Sequence, residues 1–268
     1  MLRGLASIAA VASVVVLTSS VPDAPLPAAP PAPPPPPPVL VVEMNLCNSG
    51  YAIKTCYRFG RSIDEAVDRI HQLRPDVVTV QEVCEDDMYG HDGWGKLTEA
   101  MADVHGHVSA EFVPAIDRYT GDWYRCTDHA RYGIGLIYRG AGGEQHHGWY
   151  ASQDRSGEMR AWGCATVVPG RLTVCTTHLT NNATIAVRQC RELMAVLASP
   201  WVMPDVLLGA DLNLGPNDAQ DCLAASFTRT GDGSLLHVVS RGMTWTDGGT
   251  EPMRYTDHPL LYAQLALR

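Results

Sequence analysis

The chain has 268 residues, of which 20 are Lys or Arg and 29 are Asp or Glu, so its formal net charge is −9 at neutral pH. A protein that holds polyanions by charge alone should be basic, and this composition excludes that class of tight nucleic-acid binder. A phosphate-bearing ligand would need a divalent cation or a local basic pocket.

The first 24 residues have the layout of a secretory signal peptide. Arg3 precedes an apolar run over residues 5–17, and small polar residues follow at 18–20. The run is about a dozen residues long, whereas a membrane-spanning helix needs roughly 20. We therefore expect an export signal over residues 1–24, with an uncleaved anchor as the alternative.

Residues 25–38, PLPAAPPAPPPPPP, are rich in proline. Such a tract adopts an extended polyproline conformation and cannot build a core, so we interpret it as a spacer. Residues 39–268 are enough for one sizeable domain. The expected location is secreted or attached to the cell envelope.

Apolar patterns predict alternating strands and helices from residue 39 onward. In chain order they predict a strand over 39–45, a helix over 61–73, a strand over 76–83, a helix over 93–106, a strand over 132–139, a hairpin over 159–180, a helix over 184–199, and strands over 205–213 and 258–267. The hairpin is antiparallel. The pattern therefore favours an α/β sandwich of two or four layers with mixed sheets over a purely parallel sheet.

Eight cysteines, an even number behind an export signal, indicate disulfide bonds. They are Cys47, Cys56, Cys84, Cys126, Cys164, Cys175, Cys190 and Cys222. If Pro169-Gly170 is a two-residue loop in the hairpin, Cys164 lies directly opposite Cys175, within disulfide distance.

A zinc site is the alternative for some of these cysteines. Cys126 with His129 and Cys175 with His178 are both C-x-x-H pairs, a possible half of a zinc site. The export signal favours the disulfides.

Polar residues suited to a metal or phosphate site follow the apolar strands. They are Asn45, Glu82, His178, and Asp211 with Asn213, and Asp257-His258 precedes the last strand. Each has an ordinary structural explanation when taken alone, such as a turn or a capping residue. Together, we expect them to converge on one edge of a sheet.

Seven pieces, in this order, resemble the endonuclease/exonuclease/phosphatase superfamily: MNLCN, DVVTVQEVC, YGIGLIYR, GEMRAWGCATV, TTHL, GADLN and YTDHPLLYAQL. The resemblance spans about residues 40–268, and the cysteine-containing pieces are similar to those of exported actinobacterial members. It implies a four-layer α/β/β/α sandwich with two mixed sheets, and metal-assisted hydrolysis of phosphoesters.

The resemblance also implies a role for each site residue. Glu82 would ligate Mg²⁺ (or Mn²⁺) with Asn45 beside it, because hard oxygen ligands suit such a cation. Asp211 would orient or deprotonate the attacking water, and Asn213 would hold a phosphate oxygen.

Three further side chains would contact the phosphoryl group. His178 and His258, the latter oriented by Asp257, would stabilise its developing charge. Arg160 is the candidate phosphate contact, with a surface arginine as the alternative.

The sequence departs from the family pattern in three places. Ala210 stands where the family's G-D-F-N has its glycine. Leu236 stands where an I-D-x-V aspartate is expected, with Asp232 or Asp247 as possible substitutes. Tyr132 stands where some nucleases have a glutamate that pairs with the first histidine.

Three functions remain open. The first is an exported phosphodiesterase, most simply an endonuclease-like enzyme, acting as a monomer with no stable protein partner. The second is a phospholipase C-like sphingomyelinase or phospholipid phosphodiesterase. Trp123, Tyr124, Trp149 and Tyr150 would then sit near the rim, although burial in the core is the simpler explanation for these aromatic residues. The third is a catalytically weakened binding protein at the cell surface.

Overall fold

The computed structural model describes residues 37–52, 60–85, 93–167 and 171–267, which lie within one compact unit that spans residues 36–268. The predicted signal peptide, residues 25–36 of the predicted spacer, and Pro169-Gly170 lie outside the described residues.

Fourteen strands and four helices are formed by the described residues. In chain order they are β1 (Val39–Asn45), α1 (Arg61–Leu73), β2 (Val77–Cys84), α2 (Gly93–His105), β3 (Val108–Pro114), β4 (Ile116–Asp117), β5 (Tyr132–Arg139), β6 (Gly142–Trp149), β7 (Glu158–Met159), β8 (Ala161–Val167), β9 (Leu172–His178), α3 (Ala183–Val196), β10 (Asp205–Asp211), α4 (Pro216–Cys222), β11 (Thr228–Gly231), β12 (Leu236–Arg241), β13 (Met243–Glu251) and β14 (Leu260–Leu267).

Two mixed six-stranded sheets confirm the predicted α/β class. The first has the strand order β13-β14-β1-β2-β5-β3 and the second β11-β12-β10-β9-β8-β6, while β4 and β7 form a separate ribbon. In each sheet the central pair is parallel, β1 with β2 and β9 with β10. Every residue of β9 and of β10 is buried, as expected for strands covered on both faces.

Three apolar cores separate four layers. Residues of α1 and α2, such as Ile70 and Met101, pack on the outer face of the first sheet. Leu193 of α3 and Ala219 of α4 belong to the core on the outer face of the second sheet. A third core joins the inner faces of the two sheets. The layers therefore follow the order helices, sheet, sheet, helices.

Disulfide bonds account for most of the cysteines. Cys164 and Cys175 are bonded and are paired residues of β8 and β9, which confirms the register predicted from the sequence. Further bonds join Cys84 to Cys126, and Cys190 of α3 to Cys222 of α4. Cys47 is disulfide-bonded as well.

The zinc alternative is wrong, because the cysteine of each C-x-x-H pair is in a disulfide. Cys126 is bonded to Cys84, and Cys175 to Cys164. Asp128 does lie close to the sulfurs of Cys84 and Cys126, but oxidised sulfurs cannot act as thiolate ligands.

No helix among residues 37–52, 60–85, 93–167 and 171–267 is both long and apolar enough to cross a membrane.

Candidate active site

The polar residues predicted at the strand ends lie together where the two parallel pairs end. Asn45 is paired with Gln81 at the end of β1 and β2, and His178 with Asp211 at the end of β9 and β10. Asn45 Nδ2 donates a hydrogen bond of 2.9 Å to Asp211 Oδ2 and so joins the two sheets directly. The predicted convergence on one edge is therefore present in the structure.

Asp211 is the carboxylate on which the other side chains converge. Its Oδ2 lies 3.8 Å from His178 Nε2 and 3.7 Å from His258 Nε2, and its side chain is only 1% exposed. Burial raises the pKa of Asp211, while His258 and the hydrogen bond from Asn45 oppose this rise. A buried carboxylate of raised pKa is a stronger base than an exposed one.

Asn45 acts as a bridge between two carboxylates. Its Nδ2 donates to Glu82 Oε1 at 3.2 Å as well as to Asp211. Its Oδ1 accepts a hydrogen bond of 3.0 Å from the backbone N–H of Cys47, which fixes the orientation of the amide. The amide oxygen that would serve as a metal ligand is thus already an acceptor, and the direct role of Asn45 in metal binding stays a prediction.

Glu82 is turned into the site by an irregularity in β2. The pairing of β2 with β5 shifts between Val80 and Val83, and Glu82 has a φ of +54°, a conformation that L-residues rarely adopt. Burial and the neighbouring carboxylate of Glu158 raise the pKa of Glu82 to about 7, against the hydrogen bond from Asn45. Strain of this kind is found where the surrounding structure holds a functional side chain in place.

His178 is buried and held neutral. Burial, together with Arg160 and His258 nearby, lowers the pKa of His178 well below its ordinary value. Its Nε2 lies 3.9 Å from Glu82 Oε1, and its Nδ1 has no hydrogen-bond partner among the described residues. The ring can donate or accept a hydrogen bond without carrying a charge, but these residues supply no group that orients it through Nδ1.

Asn213 lies two residues beyond Asp211 in a left-handed conformation, with a φ of +49°. Its backbone N–H donates to Asp211 Oδ1 at 2.9 Å, and its Nδ2 donates to the carbonyl oxygen of Leu179 at 2.8 Å. The amide is therefore fixed beside the carboxylate, and Leu179 takes only one of its two N–H hydrogens.

His258 is anchored through a threonine that the sequence analysis did not single out. Thr256 Oγ1 donates to the carbonyl oxygen of Asn45 at 2.7 Å and accepts a 3.3 Å hydrogen bond from the backbone N–H of His258. Asp257, which was expected to orient His258, lies 3.8 Å from its Nε2 and has a half-exposed side chain. The signal for Thr256 was its hydroxyl at the first position of T-D-H.

Arg160 is buried rather than on the surface, and it forms an ion pair of 3.1 Å with Glu158. Burial opposes its charge, but the carboxylate of Glu158 and the other acidic groups raise the pKa of Arg160 overall. Its Nε has no hydrogen-bond partner among the described residues. A buried, permanently charged guanidinium with an unpaired N–H suits an oxyanion.

Glu158 is the functional candidate that sequence reasoning missed. Together with Glu82 and Arg160 it lines an open cleft of about 330 Å³, to which Tyr132 and Tyr124 also contribute. Burial raises the pKa of Glu158, and Arg160 opposes the rise. The only signal in the sequence was its position two residues before Arg160 in GEMR.

The structure shows what replaces the aspartate that the family pattern expects at position 236. Leu236 is fully buried and pairs with Asp211 across β10 and β12, so an apolar side chain occupies that position. Asp232 accepts hydrogen bonds from the backbone of its own turn, at Ser234 and Leu236. Asp247 lies exposed on β13 and accepts from Gly248. Both aspartates thus accept hydrogen bonds from nearby backbone N–H groups, and none of these bonds involves a histidine.

The glycine before the aspartate is displaced by one position. Ala210 is buried in the core beneath α3 and α4, whereas Gly209 faces the first sheet. A Cβ at Gly209 would collide with Thr79 Oγ1 and approach Glu43 Oε2 to 2.7 Å. The close approach of the two sheets therefore requires glycine at 209 and tolerates alanine at 210.

The side chains in the cleft fit a hard divalent cation. The carboxylates of Glu158 and Asp211 both raise the pKa of Glu82, which reports a local excess of negative charge. Mg²⁺ or Mn²⁺ prefers carboxylate oxygens and would neutralise that charge. Glu82 is the residue best placed to hold it, with Glu158 lining the same cleft.

No protein-family model and no curated protein matches the sequence. Solved structures do match. The human Nocturnin catalytic domain with a bound sulfate anion has a TM-score of 0.62 at 13% identity, over 87% of this chain and 95% of that chain. An endonuclease/exonuclease/phosphatase protein from Beutenbergia cavernae has a TM-score of 0.65 at 17% identity, over 87% of this chain and 72% of that one. This is the endonuclease/exonuclease/phosphatase fold.

Other structures with the endonuclease/exonuclease/phosphatase fold carry nucleic-acid ligands. TDP2 from D. rerio, solved with a single-strand DNA product, has a TM-score of 0.61 at 14% identity, over 85% of this chain and 98% of that one. ANGEL2, described as a 2′,3′-cyclic phosphatase and solved with adenosine-2′,3′-vanadate, has a TM-score of 0.61 at 11% identity, over 86% and 96%. The resemblance stated from the motifs is thereby confirmed at the level of the fold.

Proposed function

We propose that this chain is an exported phosphodiester hydrolase that depends on a divalent cation and acts on nucleic acid. The observation that carries the proposal is the convergence of Glu82, His178, Asp211 and His258 within 4 Å contacts at the junction of the two sheets. Hydrolysis of a charged ester requires carboxylate and imidazole groups of this kind, which move protons and stabilise developing charge.

Three groups of the chain would bind and polarise the phosphoryl group. Arg160 supplies a buried positive charge, with an Nε–H that no group of the described residues accepts. His178 supplies a neutral imidazole, which can donate a hydrogen bond to a phosphoryl oxygen. Asn213 supplies an amide N–H from a side chain held by Leu179. Fixed donors in a buried site stabilise charge that develops during the reaction.

Asp211 is the group that would accept the proton of the attacking water. Burial raises its pKa, which makes it a more effective base, and the amide of Asn45 holds Oδ2 in place. A bound Mg²⁺ would supply Lewis acidity and neutralise phosphate charge, with Glu82 as its ligand. The chain's own part is to position the water, the base and the phosphate.

The nucleic-acid substrate is supported by the ligands of two structural neighbours, single-strand DNA in one and an adenosine derivative in the other. The net charge of −9 argues against long-range attraction of a polyanion. We therefore expect the affinity to come from local contacts in the cleft and from the cation.

The proposal is tested by assaying the full chain on plasmid DNA, bis-(p-nitrophenyl) phosphate and sphingomyelin liposomes, each with Mg²⁺ and with EDTA. We expect turnover of the first two with Mg²⁺ and none with EDTA. The variant Asp211→Asn should lose activity, whereas the matched variant Asp247→Asn, at an exposed position on β13, should keep it.

The other possible outcomes of this assay would each indicate a different function. Hydrolysis of sphingomyelin alone would replace the nuclease with a phospholipase C-like enzyme. A folded protein that turns over no phosphodiester with added metal would favour the weakened binding protein. The apolar Leu236 position supports that function, as does His178 Nδ1, which has no partner within the described part of the chain.

A further inference from the structure

A second cleft of about 300 Å³ adjoins the one that holds Glu82 and Arg160. Tyr51 and Tyr124 line both clefts, so the two clefts are neighbours. The second cleft is completed by Trp123, Asp117, Thr120, Asp122 and Arg125. The proposed reaction uses none of these seven side chains.

Aromatic rings lead from the reaction site into the second cleft. Tyr132 and Tyr124 have ring centroids 5.5 Å apart in an edge-on arrangement, and Tyr124 and Tyr51 follow at 6.2 Å. Tyr51 is 60% exposed although it is a large aromatic side chain. Exposed aromatic faces beside a phosphate site are the usual platform on which a nucleobase stacks.

The polar groups of the second cleft favour hydrogen-bond donors in the ligand. Asp117 is held by the backbone N–H of Tyr119 at 2.8 Å, and Asp122 by that of Trp123 at 2.7 Å. Two fixed carboxylates would repel a second phosphate but accept hydrogen bonds from amino groups on a base edge. The cleft therefore suits a neutral, flat ring.

A cationic head group fits the second cleft less well than a base does. The guanidinium of Arg131 lies over the ring of Trp123, 5.7 Å from its centroid, so that face already carries a cation. Arg125 also lines the cleft, 3.7 Å from Asp122. A quaternary ammonium group would meet these two guanidinium groups as well as the two carboxylates, so the cleft gives it no net charge attraction over a neutral ring.

We propose that the second cleft is a nucleobase subsite that binds the base next to the cleaved phosphate and prefers bases with an exocyclic amino group. This inference rests on the proposed phosphodiester hydrolysis and names its substrate class more closely. A base enters such a cleft only when it is unstacked, so the enzyme acts on single-stranded or terminal nucleotides rather than on intact duplex.

The test compares p-nitrophenyl phosphodiesters that share one leaving group and differ in the other arm: deoxycytidine, thymidine, methyl and choline. We expect the lowest KM for the deoxycytidine ester. In the variant Tyr51→Ala the KM for that ester should rise about 5- to 100-fold, the range for losing one stacking contact. The methyl ester should be unaffected, as should all four esters in the control Trp245→Ala, which removes an exposed aromatic on β13.

Two results would overturn the subsite. One is a wild-type preference for the choline ester, or no preference at all. The other is an equal loss for all four esters in Tyr51→Ala, which would show that the shared p-nitrophenyl ring occupies the cleft. Asp122→Asn should bring the KM values of the deoxycytidine and thymidine esters closer together. An unchanged ratio of these KM values would show that this carboxylate does not select the base.

The subsite can be tested even if the proposed hydrolysis is not observed. If no ester is turned over, calorimetric titration with deoxycytidine 5′-monophosphate still measures the subsite. Binding that Tyr51→Ala weakens would support the subsite in a non-catalytic protein, and binding no tighter than that of methyl phosphate would refute it.

Discussion

At the scale of single residues, Asp211 is the meeting point of the site. Asn45 donates to it, and His178 and His258 approach the same oxygen to within 4 Å. The two histidines differ in their surroundings, since the His178 side chain is 5% exposed and that of His258 is 16% exposed. They should therefore make separate contributions to one reaction.

Replacing either histidine tests this shared site. His178→Ala and His258→Ala should each lower kcat by about 10²- to 10⁴-fold, the range for losing one acid–base or charge-stabilising group. Initial rates on bis-(p-nitrophenyl) phosphate provide the measurement, and His107→Ala, at an exposed position, is the control. Two single variants near the wild-type rate would contradict the shared site.

The raised pKa of Glu82 predicts how metal binding depends on pH. Because this pKa is about 7 in the free protein, Mg²⁺ must displace a proton from the carboxyl group below that pH. The apparent affinity should fall about tenfold per pH unit below 7 and level off above it, which calorimetry between pH 5.5 and 8.5 measures. Glu82→Gln should bind weakly throughout, and a flat wild-type profile would show that Glu82 is not the ligand.

The sequence predicted the position of a candidate side chain best where that side chain ends a long apolar strand. Asn45, His178 and Asp211 each do so, and all three lie in the site. Glu158 escaped because its strand, β7, has only two residues and pairs with the equally short β4. Its role depends on a contact with Arg160 and on the cleft, which no local pattern encodes.

At the scale of elements, long apolar segments were predicted best. The strands Val39–Asn45 and Tyr132–Arg139 and the helix Arg61–Leu73 have the predicted bounds. The strand β6, GGEQHHGW, was not predicted, since it is polar and largely exposed at a sheet edge. It exists because β8 offers it backbone hydrogen bonds, and pairing of this kind depends on tertiary contacts rather than on local preference.

Two disulfides offer a matched pair of tests at this scale. Cys84 lies two residues after Glu82, the proposed metal ligand, and Cys126 lies two residues after Tyr124. Their bond therefore ties β2 to the aromatic cleft. The Cys164–Cys175 bond closes a hairpin within the second sheet. We expect only the first bond to affect substrate binding.

Both bonds should contribute stability. Removing either by a double Cys→Ala substitution should cost about 2–4 kcal/mol of unfolding free energy, measured by urea denaturation. Loss of Cys84–Cys126 should also raise the KM for nucleotide substrates, while loss of Cys164–Cys175 should leave KM unchanged in the folded protein. Identical KM values in the two variants would show that the Cys84–Cys126 bond does not affect substrate binding.

At the scale of the whole molecule, a carboxyl group is buried between the two sheets. Glu43 is fully buried, accepts a hydrogen bond from Thr79 and faces Gly209 of the second sheet. Burial raises the pKa of Glu43 well above its ordinary value. The junction of the sheets therefore holds a protonated side chain more readily than a charged one.

The stability of the fold should depend on pH through this group. The folded state retains a proton that the unfolded chain loses near pH 4.5, so the stabilisation is complete below that pH and is lost as pH rises through the folded-state pKa. Glu43→Gln, which mimics the protonated form, should lose less stability than the wild type between pH 5 and 9. Urea denaturation measures this, with the exposed Glu99→Gln as control. Parallel curves for wild type and Glu43→Gln would contradict the prediction.

The order of strands in the first sheet determines when the site can exist. The strand β14, residues 260–267, lies between β13 and β1, and His258 is two residues before its first residue. His258 can therefore approach Asp211 only after β14 has paired with β1, a strand far from it in the sequence. Because the hydrogen bond from Thr256 to Asn45 joins residues 211 positions apart, we expect the candidate site to assemble late in folding, after the long-range strand pairing has formed.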